Sequence, residues 1–132
     1  MSHFLLDTNT IIAVLNDTSS KPAKRLRREN PSDIAISAVG VHELFYGAFK
    51  SRRVERNVTL VDSLQFAVLE FDKEDARHAG EIRAFLLSKG TPIGPYDVLT
   101  AGQAIARDMI LVTHNAAEFR RVPKLRLQDW HT

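Results

Sequence analysis

The sequence of 132 residues contains no cysteine. Disulfides, thiolate metal sites and a cysteine nucleophile are therefore excluded together. The same absence fits a reducing compartment. Long apolar runs are also missing. After Met1-Ser2-His3, the stretch Phe4-Leu5-Leu6 ends at the acid Asp7, too soon for a signal peptide or a membrane span. We therefore expect a cytoplasmic protein with no membrane contact. No Gly-rich phosphate loop and no G-x-S-x-G occur, which removes support for nucleotide binding and for serine hydrolysis. His3, His42, His78, His114 and His131 show no H-x-x-x-H spacing, so a zinc-hydrolase pattern is absent too. His42 adjoins Glu43 but points to a different side of the same helix. His114 is the histidine expected nearest to a site and to a substrate.

The charge excess is small: the formal net charge is +2, which by itself does not call for nucleic acid. Its distribution says more. Lys21, Lys24, Arg25, Arg27 and Arg28 crowd one stretch, and Lys50, Arg52, Arg53 and Arg56 another. Alone, each stretch reads as a solvated helix face. Beside a carboxylate cluster, they become candidates for a phosphate backbone. A hydrophobic share of 44% is enough for an ordered core. Without linkers, repeats or low-complexity tracts, the chain reads as one domain over residues 1–132.

The apolar pattern alternates between strand and helix. Phe4-Leu5-Leu6 is a short buried strand, and Ile11 to Leu15 follow as a helix capped by Thr8 or Asn9. A basic helix spans 20–29, with Ser20 as cap and Pro22 in its first turn. Ile34-Ala35-Ile36 is a second strand. Ser37 then caps a helix with Val41, Leu44, Phe45 and Ala48 on its apolar stripe. Another helix runs from about Arg53 to Leu64, and Phe66 to Phe71 form a third strand. Asp72 caps a long helix with Glu74 and Asp75 in its first turn, favourable against the helix dipole. That helix stops at Lys89-Gly90. The loop Thr91-Pro92-Ile93-Gly94-Pro95 leads into a helix from about Tyr96 to Arg107. Met109 to Thr113 is a fourth strand, and Leu125-Arg126-Leu127 an edge strand. This order predicts an α/β fold, a three-layer sandwich whose central, mainly parallel sheet of four to five strands is flanked by helices.

Asp7 falls at the carboxyl end of the first strand, where open parallel sheets place their sites. Glu43 lies on the helix after the second strand, against a stripe expected to be buried. Asp97 begins a helix after a Pro/Gly-rich loop. Asn115 and Glu118 follow the fourth strand. Each has a plain alternative. Asp7 and Asp97 fit helix caps, and Glu43 an exposed helix position. Taken together, the acids fall at one sheet edge. Carboxylates gathered there repel unless a cation compensates. Oxygen-only ligands suit Mg²⁺ or Mn²⁺ rather than zinc. Hydrolysis of a phosphodiester is the natural reaction of such a set.

Several of these segments together resemble a known family. Phe4-Leu5-Leu6-Asp7-Thr8-Asn9 resembles the opening of PIN-domain proteins. Glu43-Leu44-Phe45-Tyr46-Gly47 is similar to their second acidic motif. Gly94-Pro95-Tyr96-Asp97 followed by Ala101-Gly102 resembles the third. Leu111-Val112-Thr113-His114-Asn115, Glu118-Phe119, Arg121-Val122-Pro123 and Gln128-Asp129-Trp130 resemble the closing segment of VapC toxins. The resemblance runs in order over nearly the whole chain. It implies a Mg²⁺-dependent endoribonuclease, the toxin of a type II toxin–antitoxin pair. Asp7 and Asp97 match the family's metal ligands, and Glu43 its other core acid, binding directly or through water. Thr8 and Asn9 would orient Asp7, and Thr113 would support the site. The implied substrate is a structured RNA, initiator tRNA cut in the anticodon region. Lys24, Arg25 and Arg28 are the candidate RNA contacts. An antitoxin and a homodimer are implied as partners. Val58, Leu60, Val61 and Leu64 are candidates for the dimer face, with ordinary core as the competing reading. Many PIN domains carry a fourth acid where Asn115 stands, which leaves the metal count open and gives Glu118 a compensating role.

Two other classes fit parts of the pattern. A non-catalytic PIN-like binding module would bind RNA or protein without cutting. A phosphoryl-transfer domain using Asp7 as nucleophile would call for an Asp-x-Asp pair, but position 9 is Asn.

Overall fold

The computed structural model describes residues 3–132. Met1 and Ser2, which open the segment read above as too short for a signal, lie outside the described residues. Strand β1 (Phe4–Leu6) leads directly into helix α1 (Thr8–Asn16), and helix α2 (Lys21–Arg28) follows. A 3-10 turn at Pro31–Asp33 delivers β2 (Ile34–Ser37). Helices α3 (Ala38–Phe49) and α4 (Val54–Asp62) precede β3 (Ala67–Leu69). Then come α5 (Lys73–Ser88), α6 (Pro95–Ala106), β4 (Ile110–Val112), α7 (Ala116–Phe119) and β5 (Leu127–Gln128). The sheet order is β3-β2-β1-β4-β5, and every pairing is parallel.

The alternation of side chains across the sheet builds two cores. Leu5, Ala35 and Leu111 face one side and meet Ile82 and Leu86 of α5 and Val98 and Ala101 of α6. Leu6, Ile34, Ile36 and Val112 face the other and meet Ile11, Leu44, Val61 and Trp130. Helices cover both faces, so neither half of a strand is polar. Each fully buried Leu or Ile here contributes about 1.5–3 kcal/mol by leaving water.

Two local devices hold the first of these layers. An added Cβ at Gly102 would meet Ala79 N at 2.5 Å, so α6 crosses α5 with its backbone against the α5 backbone. Asp75 is buried, yet it accepts from the Asp72 amide at 2.9 Å and from Gln103 Nε2 at 2.9 Å, and pairs with Arg107 at 3.1 Å. Burial pushes this carboxyl up, but Arg107, the Asp72 amide and Gln103 outweigh it and hold it below the usual carboxylate range. Asp75 therefore does more than complement a helix dipole: it ties α5 to α6.

Three expected boundaries move. The first helix begins at Thr8 with Asp7 as its cap, rather than being capped by Thr8 or Asn9. The third strand contracts to three residues. The edge strand slides to Leu127–Gln128, where its backbone pairs with Leu111 and Val112. Of the four candidate dimer-face residues, one is buried and three are half-buried. Val61 is buried, and Val58 and Leu64 pack against the second core, because α4 needs an apolar face to lie on α3. Leu60 instead lines a surface groove. No helix is long and apolar enough to cross a membrane among the described residues.

Candidate active site

The chain runs from β1 out to β3 on one side of the sheet and returns to β4 and β5 on the other. The crevice at this switch point opens at the carboxyl ends of β1 and β4. Asp7 sits there as the residue after β1. Its backbone N–H donates to Val112 O at 2.8 Å, which continues the β1–β4 pairing. The side chain is buried and doubly held. Oδ1 accepts from the Thr8 amide at 2.9 Å, and Oδ2 from the Thr113 hydroxyl at 2.8 Å. Asp7 is thus both a helix cap and a pocket acid; one oxygen caps while the other faces Thr113.

The remaining acids arrive from three further segments. Glu43 projects from α3 and accepts a long hydrogen bond, 3.4 Å, from the Thr8 hydroxyl. Asp97 lies in the first turn of α6, but Gly94 is the N-cap and no side chain caps that helix. The capping explanation for Asp97 therefore does not apply. Glu118 on α7 accepts from the Gly94 amide at 3.1 Å and from Asn115 Nδ2 at 2.6 Å. Asn115 in turn donates its backbone N–H to Thr113 Oγ1 at 3.0 Å. A carbonyl oxygen at that distance would repel Glu118, so the Asn115 amide nitrogen must face the carboxylate. Asn115, which stands where many PIN domains carry a fourth acid, braces Glu118 through its side-chain amide.

The electrostatics of these side chains are those of one shared pocket. Burial raises Asp7 above the usual carboxylate range; its bonds to Thr113 and Thr8 oppose this, and Glu118 adds to the rise. Glu43 is raised by burial and then by Asp7. Asp97 is pushed up to about 6, by burial first and then by Asp7, Glu118 and Glu43. Asp7, Glu43 and Glu118 each raise a neighbouring acid, because like charges at short range disfavour ionisation. Among the described residues, none of the four pairs with Lys or Arg. The half-exposed Glu118 belongs with the pocket acids rather than merely beside them. The sequence signal for it was its position three residues after Asn115, one helical turn away.

The other expected residues divide. Asn9 is exposed, and its Oδ1 accepts from the His114 amide at 3.3 Å, so it ties the α1 entry to the β4 exit rather than touching Asp7. Thr8 reaches Asp7 through its amide and Glu43 through its hydroxyl. His42 is exposed, but its ring lies 5.4 Å from Tyr96, next to Asp97, and its proximity works against the rise of the Glu43 carboxyl. His114 turns toward Asp129, with Nδ1 3.0 Å from Oδ2. Lys24 and Arg28 line a groove of about 440 Å³ with Lys21, Arg25 and Trp130. Arg25 is already engaged there: it pairs with Glu29 at 2.8 Å and lies 5.0 Å over the Trp130 ring.

A pocket of four coupled carboxylates at the switch point of a parallel five-stranded sheet defines a PIN-type α/β domain. The PIN domain family matches residues 4–125. The chain is 42% identical over 132 residues to the tRNA(fMet)-specific endonuclease VapC of Salmonella typhimurium, covering 98% of this chain and 99% of that one. It is 35% identical over 134 residues to ribonuclease VapC2 of Haemophilus influenzae, again covering 98% and 99%. The crystal structure of DNA-bound VapBC from Salmonella typhimurium superposes with a TM-score of 0.93 over 98% of this chain and 99% of that chain, at 42% identity. VapBC2 from Rickettsia felis, bound to a promoter DNA fragment, gives 0.87 at 33% identity, covering 96% and 98%. The chain belongs to the PIN-domain family, in its VapC branch.

Proposed function

We propose that the single domain over residues 1–132 is a Mg²⁺-dependent endoribonuclease, the toxin of a toxin–antitoxin pair, acting on a structured RNA of the initiator tRNA type in its anticodon region. The observation that carries this reading is the four-acid pocket, in which Asp97 is held at about 6 by burial and by Asp7, Glu118 and Glu43, without a basic partner among the described residues. Such a set is unfavourable alone and becomes favourable around a divalent cation.

The donor chemistry fits Mg²⁺, with Mn²⁺ as the alternative: it is all oxygen, from carboxylates. The four acids do not form a tight three-ligand set within 4.8 Å among the described residues. Mg²⁺ does not require such a set, because it takes a few carboxylates and keeps waters in its shell. Asp7 and Asp97 would hold it directly, and Glu43 and Glu118 directly or through water. When bound, the ion supplies charge neutralisation and makes water a stronger nucleophile at a phosphodiester. The chain's own residues do the positioning. Thr113 and the Thr8 amide fix both oxygens of Asp7, so its orientation is set before substrate arrives. Asn115 and the Gly94 amide fix Glu118 in the same way. Lys24 and Arg28, with Arg25 as a braced wall, offer a phosphate track along the α2 groove.

An antitoxin is the proposed protein partner. Ile12, Tyr46 and Phe49 are exposed apolar side chains on α1 and α3, and a groove lined by Ile12, Leu15, Leu44 and Leu60 runs to Glu43. A segment lying in that groove would reach the acids, and a basic side chain on it would compete with metal and RNA for their charge. The proposal includes a homodimer, supported by exposed Phe85, Leu87 and Tyr96 on the α5–α6 side.

The test is cleavage of purified tRNA with Mg²⁺, with EDTA, and with an Asp7→Asn chain, with the new RNA ends mapped. Cutting at anticodon positions that needs both the metal and Asp7 is the expected result. RNA binding that ignores EDTA and produces no new ends would instead make the chain a non-catalytic module.

A further inference from the structure

β4 and β5 run parallel, with Val112 paired to Gln128, so the residues leaving their carboxyl ends emerge side by side. His114 leaves β4, and Asp129 and His131 leave β5. The Asp129 carboxylate stands between the two imidazoles: Oδ2 is 3.0 Å from His114 Nδ1, and Oδ1 is 3.3 Å from His131 Nδ1. Oδ1 also accepts the His131 backbone N–H at 2.8 Å. The rings stack with centroids 4.1 Å apart and an interplanar angle of 29°. One ligand atom from each of the three side chains lies within 4.8 Å of the other two.

Two features of this trio are unexplained by packing. His131 Nδ1 is buried without a hydrogen-bond partner; it is near Asp129 but misaligned for a bond. Leaving such an atom unsatisfied costs about 1–3 kcal/mol. The two rings also stack face to face with their Nδ1 atoms turned toward one carboxylate, which leaves nitrogen lone pairs and carboxylate oxygens converging on one point. A divalent cation would resolve both, accepting the ring lone pairs and the carboxylate together.

We propose that His114, Asp129 and His131 form a second metal site, selective for a borderline divalent cation such as Zn²⁺, Co²⁺ or Ni²⁺, that fastens the C-terminal segment to the rim of the acidic pocket. Two nitrogens and one oxygen suit these ions, whereas Mg²⁺ prefers the oxygen-only pocket. Three protein ligands leave a position for water. Lys21, Lys24, Arg25 and Arg28 line the groove that Asp129 also borders, and they oppose a cation by repulsion. Against this, burial pushes the Asp129 carboxyl up, but the His131 amide and His114 outweigh it and keep it below the usual range, ready as an anion. The mechanical link is short. Thr113, adjacent to His114, holds Asp7, and Trp130, between Asp129 and His131, is buried with its ring edge-on to Phe4 at 5.4 Å. An ion here would join the two segments that leave the sheet.

The test titrates Zn²⁺ into the full chain by calorimetry in excess Mg²⁺, with thermal unfolding followed in parallel, and repeats both in an Asp97→Asn background that weakens the acidic pocket. The expected result is a Zn²⁺ equivalent per chain that survives Asp97→Asn and raises the unfolding temperature. His114→Ala, at an exposed position, and separately His131→Gln should each weaken it by ~10–100-fold. Circular dichroism checks that both variants fold, and stabilisation by Mg²⁺ should persist in both. Wild-type Zn²⁺ affinity in both histidine variants would overturn the site. So would loss of the Zn²⁺ equivalent on Asp97→Asn alone, which would assign it to the acidic pocket.

Discussion

Asp97→Asn removes the most perturbed charge of the pocket, and its effect on stability can be worked out beforehand. Folding raises the Asp97 carboxyl from 3.8 to about 6, a gap of about 2. At ~1.36 kcal/mol for each pH unit of that gap, ionised Asp97 costs the metal-free fold at most about 3 kcal/mol. Two effects reduce this. The side chain is partly exposed, so water screens its neighbours. It also lies in the first turn of α6, where a negative charge gains ~0.3–1 kcal/mol from the helix dipole. The net expectation is about 1–2 kcal/mol. The sign follows from the raised value. Below 3.8 the group is protonated folded and unfolded alike, and no cost exists. The cost grows as pH rises from 3.8 to about 6 and is complete above it. Urea unfolding in EDTA, measured from pH 4 to pH 8, should show the Asp97→Asn chain gaining on wild type across that window and staying ahead at pH 7. Mg²⁺ should recover stability for wild type and much less for Asp97→Asn. Equal stabilities throughout, or a variant weaker at pH 7 than at pH 4 relative to wild type, would refute the picture of mutually repelling acids.

Asp7→Asn should lower RNA cleavage by at least ~100-fold while leaving unfolding within about 1 kcal/mol, because Asn still accepts from the Thr8 amide and Thr113 can reverse its hydroxyl; single-turnover cleavage and urea unfolding on one preparation decide it. Gly102→Ala should destabilise by about 1–3 kcal/mol, since its Cβ would meet the Ala79 backbone at 2.5 Å, whereas Gly80→Ala, with nothing within 4 Å, should gain ~0.5–1 kcal/mol in a helix interior. The pair is read by urea midpoints, and similar responses would contradict the close α5–α6 crossing. Arg107→Ala should cost about 1–3 kcal/mol at pH 7 by leaving buried Asp75 short of its partner. Asp75 is held below its ordinary value, so its contribution is present above pH 3.8 and fades as pH falls further. The difference between wild type and Arg107→Ala should therefore shrink in acid, and a constant difference would remove Asp75 from the account.

Much of this protein was written locally in the sequence. The alternation of Leu5 with Leu6 and of Ala35 with its isoleucine neighbours dictates strands buried on both faces, because period-two side chains must find a core on each side. Ser20, Ser37 and Asp72 mark helix starts through a hydrogen bond that needs only the next few residues. The expectation that Asp7, Glu43 and Asp97 gather at one sheet edge rested only on the alternation of strands with helices and the rule for parallel sheets. What the sequence could not fix depends on contacts between distant segments. Asn115 reads as a weakened acid until Gly94 and Thr113 show it bracing Glu118. Asp75 reads as a dipole partner until Gln103 and Arg107 close on it. His114 and His131 have no motif between them, and only the parallel pairing of β4 with β5 stacks them on Asp129. Spacing along a chain encodes caps and periodicity, which act over a turn or two. Charge–charge distance and shared burial arise only when the sheet brings the strand ends together.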